Sequence, residues 1–378
     1  MTKVEFYRHS LGQNEAEEVA KTLAGIFLTT GPRTRQFEQW LAGYLGVSDA
    51  VGLTSATMAL FLAQKALGIG PGDEVITTPM TFIATPNSIL YTGAKPVFVD
   101  CDAVTGNIDL DQIEAAITPR TKAIIPVHLY GVMVDMRALR RIADKYGLHI
   151  IEDCAHCLEG QRDGIRPGQL GDIACFSFYA TKNLACGEGG AVAGNNQELL
   201  EHVRLLRSHG MNKDAINRYT STYQHWDMVE LGHKANMYDL QAALLLPQVG
   251  GIATRLERRQ ALCGRYEEAF SVMEGIDFPR VPAAAVSARH LFTIWVDPAH
   301  RDKVLAGLQQ HQIGVAVNYR AVHLLSYYRE HFGYRRGIYS NAERIGDATL
   351  TLPMYPALED GQVEAVIAAV RAVLRQVS

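Results

Sequence analysis

Asp153, in the stretch IEDCAHCLEG, and Lys182, in SFYATKNLACGEGG, each stand where a short apolar run gives way to polar residues. A lysine amine condenses with an aldehyde to form a Schiff base. If that aldehyde belongs to pyridoxal phosphate, the ring nitrogen of the cofactor has to stay protonated for the ring to draw electrons. A buried carboxylate meets that need. A third piece is Thr54-Ser55-Ala56-Thr57, at a junction of strand and helix. It offers hydroxyls, free backbone N–H groups and the positive end of a helix, which suit a phosphate. Taken singly, each piece has a plainer reading: a surface lysine, a structural carboxylate, an N-cap.

The elements that must position these groups alternate between strand and helix patterns. Asn14–Ala63 is mostly helical, broken by Thr29-Thr30-Gly31-Pro32, with a short strand at Ala50–Leu53. Further apolar or β-branched runs follow at Glu74–Thr78 and in KPVFVDCD, KAIIPVHLYG, HIIEDCAH, IACFSFY and GGAVAG, with an amphipathic helix, MRALRRIADKYG, among them. This rhythm predicts an α/β fold: a mostly parallel sheet with helices on both faces. Ligands of such sheets sit at the C-terminal strand ends. The polar residues Ser55, Thr57, Asp100, His128, Asp153, His156 and Ser177 gather there. Past Gly250-Gly251 the texture changes to a charged helix, the strands HLFTIWVD and IGVAVNYR, an aromatic-basic loop and a last helix over Gly361–Gln376. The expected division is a large domain over 1–249, with an N-terminal arm, and a smaller α+β domain over 250–378. Pro282–Ala288 is expected to be a surface loop.

Taken in order, the blocks TTGPRTRQFE, LTSATMAL, GPGDEVITTPMTFIAT, ITPRTKAIIPVHLYG, IEDCAHCLEG, GDIACFSFYATKNLACGEGG, LGHKANMYDLQAAL and IGVAVNYRAVHLLSYYRE resemble the DegT/DnrJ/EryC1/StrS family of pyridoxal-phosphate-dependent nucleotide-sugar aminotransferases. The resemblance implies the type I, aspartate aminotransferase-like fold of such enzymes. It makes Lys182 the Schiff-base lysine and Asp153 the partner of the ring nitrogen. It puts His156 at the 3-hydroxyl, Phe82 against the ring, and Ser55, Ala56, Thr57 and Ser177 on the phosphate. Asn236 would reach the phosphate of the neighbouring subunit, so a homodimer with shared sites is expected. The usual Asp-Ala-Ala-Gln reads Asp153-Cys154-Ala155-His156 here. Within the family, HGMNKDAINRY, LGHKANMYDLQAA and NYRAVHLLSYYRE are most similar to the UDP-4-amino-4-deoxy-L-arabinose synthase branch, which acts at carbon 4 of a UDP-linked sugar. The implied reaction takes an amino group from glutamate to such a keto-sugar. A 3-aminotransferase, a sugar dehydratase and a non-catalytic sensor are the alternatives; the retained Lys182 counts against a dehydratase.

Other residues have competing readings. Tyr319, Arg320 and His323, in an aromatic-basic stretch, are expected to touch substrate through a ring and a cation for a diphosphate; packing of the small domain is the rival reading. Gly187-Glu188-Gly189-Gly190 reads as a tight turn letting backbone pass near the cofactor. Cys154 and Cys157 lack a second ligand pair, so no metal is expected. The net charge of −4 gives no electrostatic case for nucleic acid. No apolar run of membrane-spanning length is present, nor is there a secretory signal pattern, and six cysteines are too few for a disulfide scaffold; a cytoplasmic enzyme is expected.

Overall fold

The computed structural model describes residues 3–212 and 225–377. Its centre is a seven-stranded sheet built from β1 (Asp49–Leu53), β2 (Glu74–Thr77), β3 (Lys95–Phe98), β4 (Thr121–Ile124), β5 (His149–Asp153), β7 (Ile173–Ser177) and β8 (Gly190–Gly194); the short β6 (Gln161–Arg162) lies outside it. The spatial order is β1-β8-β7-β5-β4-β2-β3. Only β8 runs against its neighbours. The strands are buried on both faces, which explains why they read as near-continuous apolar runs. The mostly parallel α/β sheet expected from the alternating strand and helix patterns is therefore present.

The helices that matter for the site are α1 (Gln13–Leu23), α2 (Pro32–Leu45), α3 (Ala56–Ala66) and α4 (Ala84–Thr92). Proline opens α2 at its first turn, where its missing N–H costs nothing. Ser55 caps α3, its hydroxyl accepting from the Met58 N–H at 3.2 Å. Leu60, Leu62 and Ala63 of α3 pack on Val51, Ile151, Cys175 and Val192 of the sheet, which fixes where the start of α3 points.

A second core gathers Leu262, Tyr266 and Phe270 of the helix Ile252–Ser271 with Phe292 and Ile294 of β10 (Phe292–Trp295), Leu350 and Leu352 of β11 (Thr349–Leu352), and Val366 and Val370 of the helix Asp360–Val377. Val4 joins it: its N–H donates to Gln312 O at 3.0 Å and its carbonyl accepts from Gly314 N at 2.8 Å. Gly314 is needed there, because a Cβ would stand 2.3 Å from the Phe6 nitrogen.

Two local expectations are corrected. IGVAVNYR is no strand; only Ile313 and Ala316 make isolated bridges, to Val4 and Thr351. Pro282–Ala288 is not simply a surface loop: β9 (Ala285–Val286) pairs with β6, and Ala288 is buried. Among the described residues no helix is long and apolar enough to cross a membrane.

Candidate active site

The register of the sheet assembles the site. Gly190 opens β8 flanked by Leu53 of β1 and Ser177 of β7. A Cβ on Gly190 would lie 2.3 Å from the Ser55 carbonyl carbon and 2.6 Å from Ala56 N. Only glycine lets β8 come this close to the start of α3. The first N–H groups of α3, on Ala56 and Thr57, precede the hydrogen bonds of the helix itself, so they are free donors at a positive helix end. Ser177 adds a hydroxyl at the same edge. This cradle suits a phosphate.

Asp153 ends β5 two residues along the sheet edge from Ser177, in register with Cys175. It is buried; Thr85 Oγ1 donates to one carboxylate oxygen at 2.8 Å and Ala155 N–H to the other at 3.1 Å. Burial raises its pKa, and these two donors oppose the rise. Thr81 in turn bonds Thr85, 2.8 Å between hydroxyl oxygens, so the carboxylate is held from α4. Phe82, just before α4, is 52 % exposed despite being aromatic, and its ring centroid lies 5.6 Å from that of Tyr319. An aromatic face left open beside a buried carboxylate is what a flat cationic ring would cover.

His156 faces the same space. The Tyr130 N–H donates to its Nδ1 at 3.2 Å, so the ring proton sits on Nε2, which meets the Tyr319 hydroxyl at 3.0 Å. Burial first, then the charge of Lys182, holds the His156 pKa well below the usual value, in keeping with a neutral ring. Tyr130 adopts φ +57°, a left-handed backbone that a tyrosine seldom takes. That turn aims its N–H at His156 while its hydroxyl donates to Asn318 O at 2.6 Å, just before Tyr319.

Lys182 lies in the turn after β7, its nitrogen 3.4 Å from His290 Nε2. Desolvation brings its pKa down to about 8, while the nearby Asp153 charge pulls the other way. Lysine and carboxylate therefore share one space, as the ring nitrogen and aldehyde of pyridoxal phosphate require. Asp153, Phe82, Lys182, His156, Ser177 and the start of α3 fit the group.

His323 is not part of this group. His323 is buried, its Nε2 3.1 Å from Glu343 Oε1 and its ring edge-on to Tyr339 at 4.8 Å; it braces the helix Ser340–Ala348 and does not face the cleft. Arg320 is exposed, and among the described residues it has no ion-pair partner. The Asn236 side chain donates to Thr29 and Thr30 of its own chain, at 3.2 and 2.6 Å, while its carbonyl oxygen is buried without a partner. Most of HGMNKDAINRY lies outside the described residues.

His128, Glu152 and Cys154 also meet, within ligand distance of a common point. Glu152 accepts from His128 at 2.8 Å and from the N–H groups of Gly168 and Gly171 at 3.0 Å each, and His128 Nδ1 accepts from Val134 N–H at 3.2 Å. The cluster is a cross-brace between β5 and its flanking loops. Sequence reasoning missed a second group, His290, Asn183, Glu159 and Arg259, which lies directly behind Lys182. The only local signal was the Asn that follows the lysine.

The chain matches the DegT/DnrJ/EryC1/StrS aminotransferase family over residues 9–371. It is 44% identical over 371 residues, covering 97% of this chain and 95% of the relative, to the spore coat polysaccharide biosynthesis protein SpsC of Bacillus subtilis strain 168. Among solved structures, the putative sugar aminotransferase Spr1654 from Streptococcus pneumoniae in its PMP form superposes with TM-score 0.94 at 31% identity, over 99% of this chain and 100% of that one. The aminotransferase PseC of Helicobacter pylori, involved in the biosynthesis of pseudoaminic acid, superposes with TM-score 0.92 at 27% identity, over 99% and 100%.

Proposed function

Because this chain belongs to the DegT/DnrJ/EryC1/StrS family and is a pyridoxal-phosphate-dependent aminotransferase, we propose that it moves an amino group from glutamate to a keto group, at carbon 4, of a sugar linked to a nucleoside diphosphate. The similarity to SpsC supports a role in polysaccharide assembly. The carbon-4 position rests on the LGHKANMYDLQAA and NYRAVHLLSYYRE blocks.

Pyridoxal phosphate, when bound, supplies an electron sink for proton transfer at the carbon that bears the amine. The residues do the rest. Asp153, held by Thr85 and Ala155, keeps a proton on the ring nitrogen. Phe82 covers one face of the ring. Ser55, Ala56, Thr57 and Ser177 hold the phosphate. Lys182 would hold the cofactor through its aldehyde, and its amine is the group that would move the proton at the donor α-carbon; it must be neutral to accept it, and desolvation toward a pKa of about 8 makes this accessible. Tyr319, tied to His156, positions the acceptor.

The observation that carries the choice of acceptor is Arg320: an exposed guanidinium, without an ion-pair partner among the described residues, directly after Tyr319, where it can grip a diphosphate. Glutamate has no diphosphate. Arg320→Ala should therefore lower kcat/KM for the sugar half-reaction by an amount corresponding to about 1.5–3 kcal/mol and leave the glutamate half-reaction unchanged. The two halves are measured separately by cofactor absorbance, and the product by mass spectrometry. Equal losses in both halves would remove the diphosphate assignment.

The same reading includes a homodimer with shared sites. Leu23, Ile26 and Leu28 are exposed on one segment, Trp226, Met228, Val229 and Leu231 on another, and Asn236 ties the two regions together through Thr29 and Thr30. Apolar side chains in such number favour a protein partner, and a second copy would cover them.

A further inference from the structure

The group behind Lys182 brings together four stretches of chain: the loop after β5, the turn after β7, the helix Ile252–Ser271 and the segment before β10. Arg259, 2 % exposed, reaches from the middle of its helix to Glu159, 4 % exposed, with Nη2 2.5 Å from Oε1. The Asn183 amide nitrogen donates to the other Glu159 oxygen at 2.8 Å and to the Ala288 carbonyl at 3.1 Å. Both are acceptors, so the orientation of the amide is settled: its oxygen must face the other way, toward His290 Nδ1 at 3.2 Å. That oxygen can only accept. His290 therefore carries its proton on Nδ1 and turns the lone pair of Nε2 to Lys182 Nζ, 3.4 Å away.

We propose that His290 is the positioning residue of Lys182, and that Arg259, Glu159 and Asn183 fix its ring so that the Nε2 lone pair accepts a hydrogen from the lysine amine. An imidazole with the opposite tautomer, or a charged one, would present N–H to the amine and compete for the electron pair that must attack the aldehyde carbon. The arrangement prevents both. Arg259 and Glu159 neutralise each other, so the relay brings no net charge to the lysine. Among the described residues, the titratable groups facing Lys182 are Asp153 from β5, His156 from the loop after it, and His290; those facing His290 are Lys182, His156, whose ring centroid is 4.5 Å away, and Arg259 beyond Asn183, while Tyr7 of the N-terminal arm and Tyr355 line the same pocket. Burial, reinforced by the charge of Lys182, keeps His290 neutral. With one N–H held toward His290, the lone pair of the amine is aimed away from the ring, into the space that Asp153 and Phe82 border. The inference rests on the assignment of Lys182 made above.

The test uses the cofactor-free full-length protein at a pH above the lysine midpoint, so that charge on the amine does not enter. Pyridoxal phosphate is added, the bond is fixed with borohydride at timed intervals, and the label on the peptide that holds Lys182 is quantified by mass spectrometry. Affinity for pyridoxamine phosphate, which the lysine cannot capture, is measured in parallel. His290→Leu should slow capture by at least about tenfold while pyridoxamine phosphate binding stays within about twofold, and His290→Gln, whose amide oxygen can accept from the amine, should return capture to within about threefold of the parent. Asn183→Leu, which frees the ring, should slow capture with binding intact. A parent-like capture rate in His290→Leu overturns the proposal, as does a parallel loss of capture and binding, which marks a merely structural side chain. Where His290→Leu does not fold, Asn183→Leu decides by the same two readouts. Absence of label on Lys182 in the parent protein would instead overturn the functional reading itself.

Discussion

Burial of its nitrogen takes Lys182 down to about 8, while the carboxylate of Asp153 pulls the value back up. The sign of the pH dependence follows. The fraction of neutral amine grows as pH rises, so capture of pyridoxal phosphate should climb about tenfold per pH unit below pH 8 and level off above it. In the cofactor-free protein the unfolded chain holds the lysine proton between pH 8 and 10.5 and the folded one does not, so the contribution of Lys182 to stability rises with pH across that window. Asp153→Asn removes the opposing charge. The capture midpoint should then fall below that of the parent, and turnover should drop steeply because an amide cannot hold a proton on the ring nitrogen. Timed borohydride fixation over a pH series reads the midpoint, and a rise or no movement would break the link between the two side chains.

At the scale of elements, the proposed phosphate cradle depends on how closely β8 approaches α3. Gly190→Ala would push a methyl group against the Ser55 carbonyl and Ala56 N, and backbone cannot yield as a flexible side chain does. The substitution should weaken pyridoxamine phosphate binding more than it lowers the melting temperature, because α3 remains anchored through Leu60 and Leu62. A calorimetric Kd equal to that of the parent would place the phosphate elsewhere. The same elements show what was legible in the sequence. Buried parallel strands write themselves as apolar runs ending in polar residues, so β1, β2, β4, β5 and β7 and the edge bearing Asp153 and Ser177 could be read directly. IGVAVNYR has a strand-like composition but meets the edge of β11 only through the single bridge of Ala316 to Thr351, and pairing, which sequence does not display, decides a strand. His323 was read outward from an aromatic-basic stretch, whereas its direction is set by Glu343, on a helix further along the chain. His290, Glu159 and Arg259 were invisible for the same reason: each is an ordinary polar residue until the fold aligns it behind Lys182.

At the scale of the whole molecule, the helix Ile252–Ser271 begins in the core of the sheet side, where Ile252 packs with Leu245 and Phe37, and ends in the second core at Phe270, with Arg259 between them paired to Glu159. We propose that the boundary between the two domains falls at the start of this helix, with the N-terminal arm returning through Val4 to the far side. The remaining question of architecture is whether one chain completes a site. Asn236 sits beside Leu53, just ahead of the phosphate cradle, yet its amide is spent on Thr29 and Thr30 with one oxygen left unpartnered. The proposed homodimer would share its sites if a second copy seated on the exposed apolar segments turned its own Asn236 toward this cradle. Subunits carrying Lys182→Ala and subunits carrying Asn236→Asp should each form inactive homodimers, the first for want of the amine and the second because a carboxylate repels phosphate. Co-expressed, they form heterodimers in which one site has both mutations and the other has neither, provided Asn236 acts across the interface. With equal, random pairing about half the dimers are mixed and one of their two sites is whole, so activity should return to about a quarter of the parent value. If Asn236 serves its own chain, every site in the mixture keeps one lesion and no activity returns; measuring the mixed preparation against both homodimers separates the two arrangements.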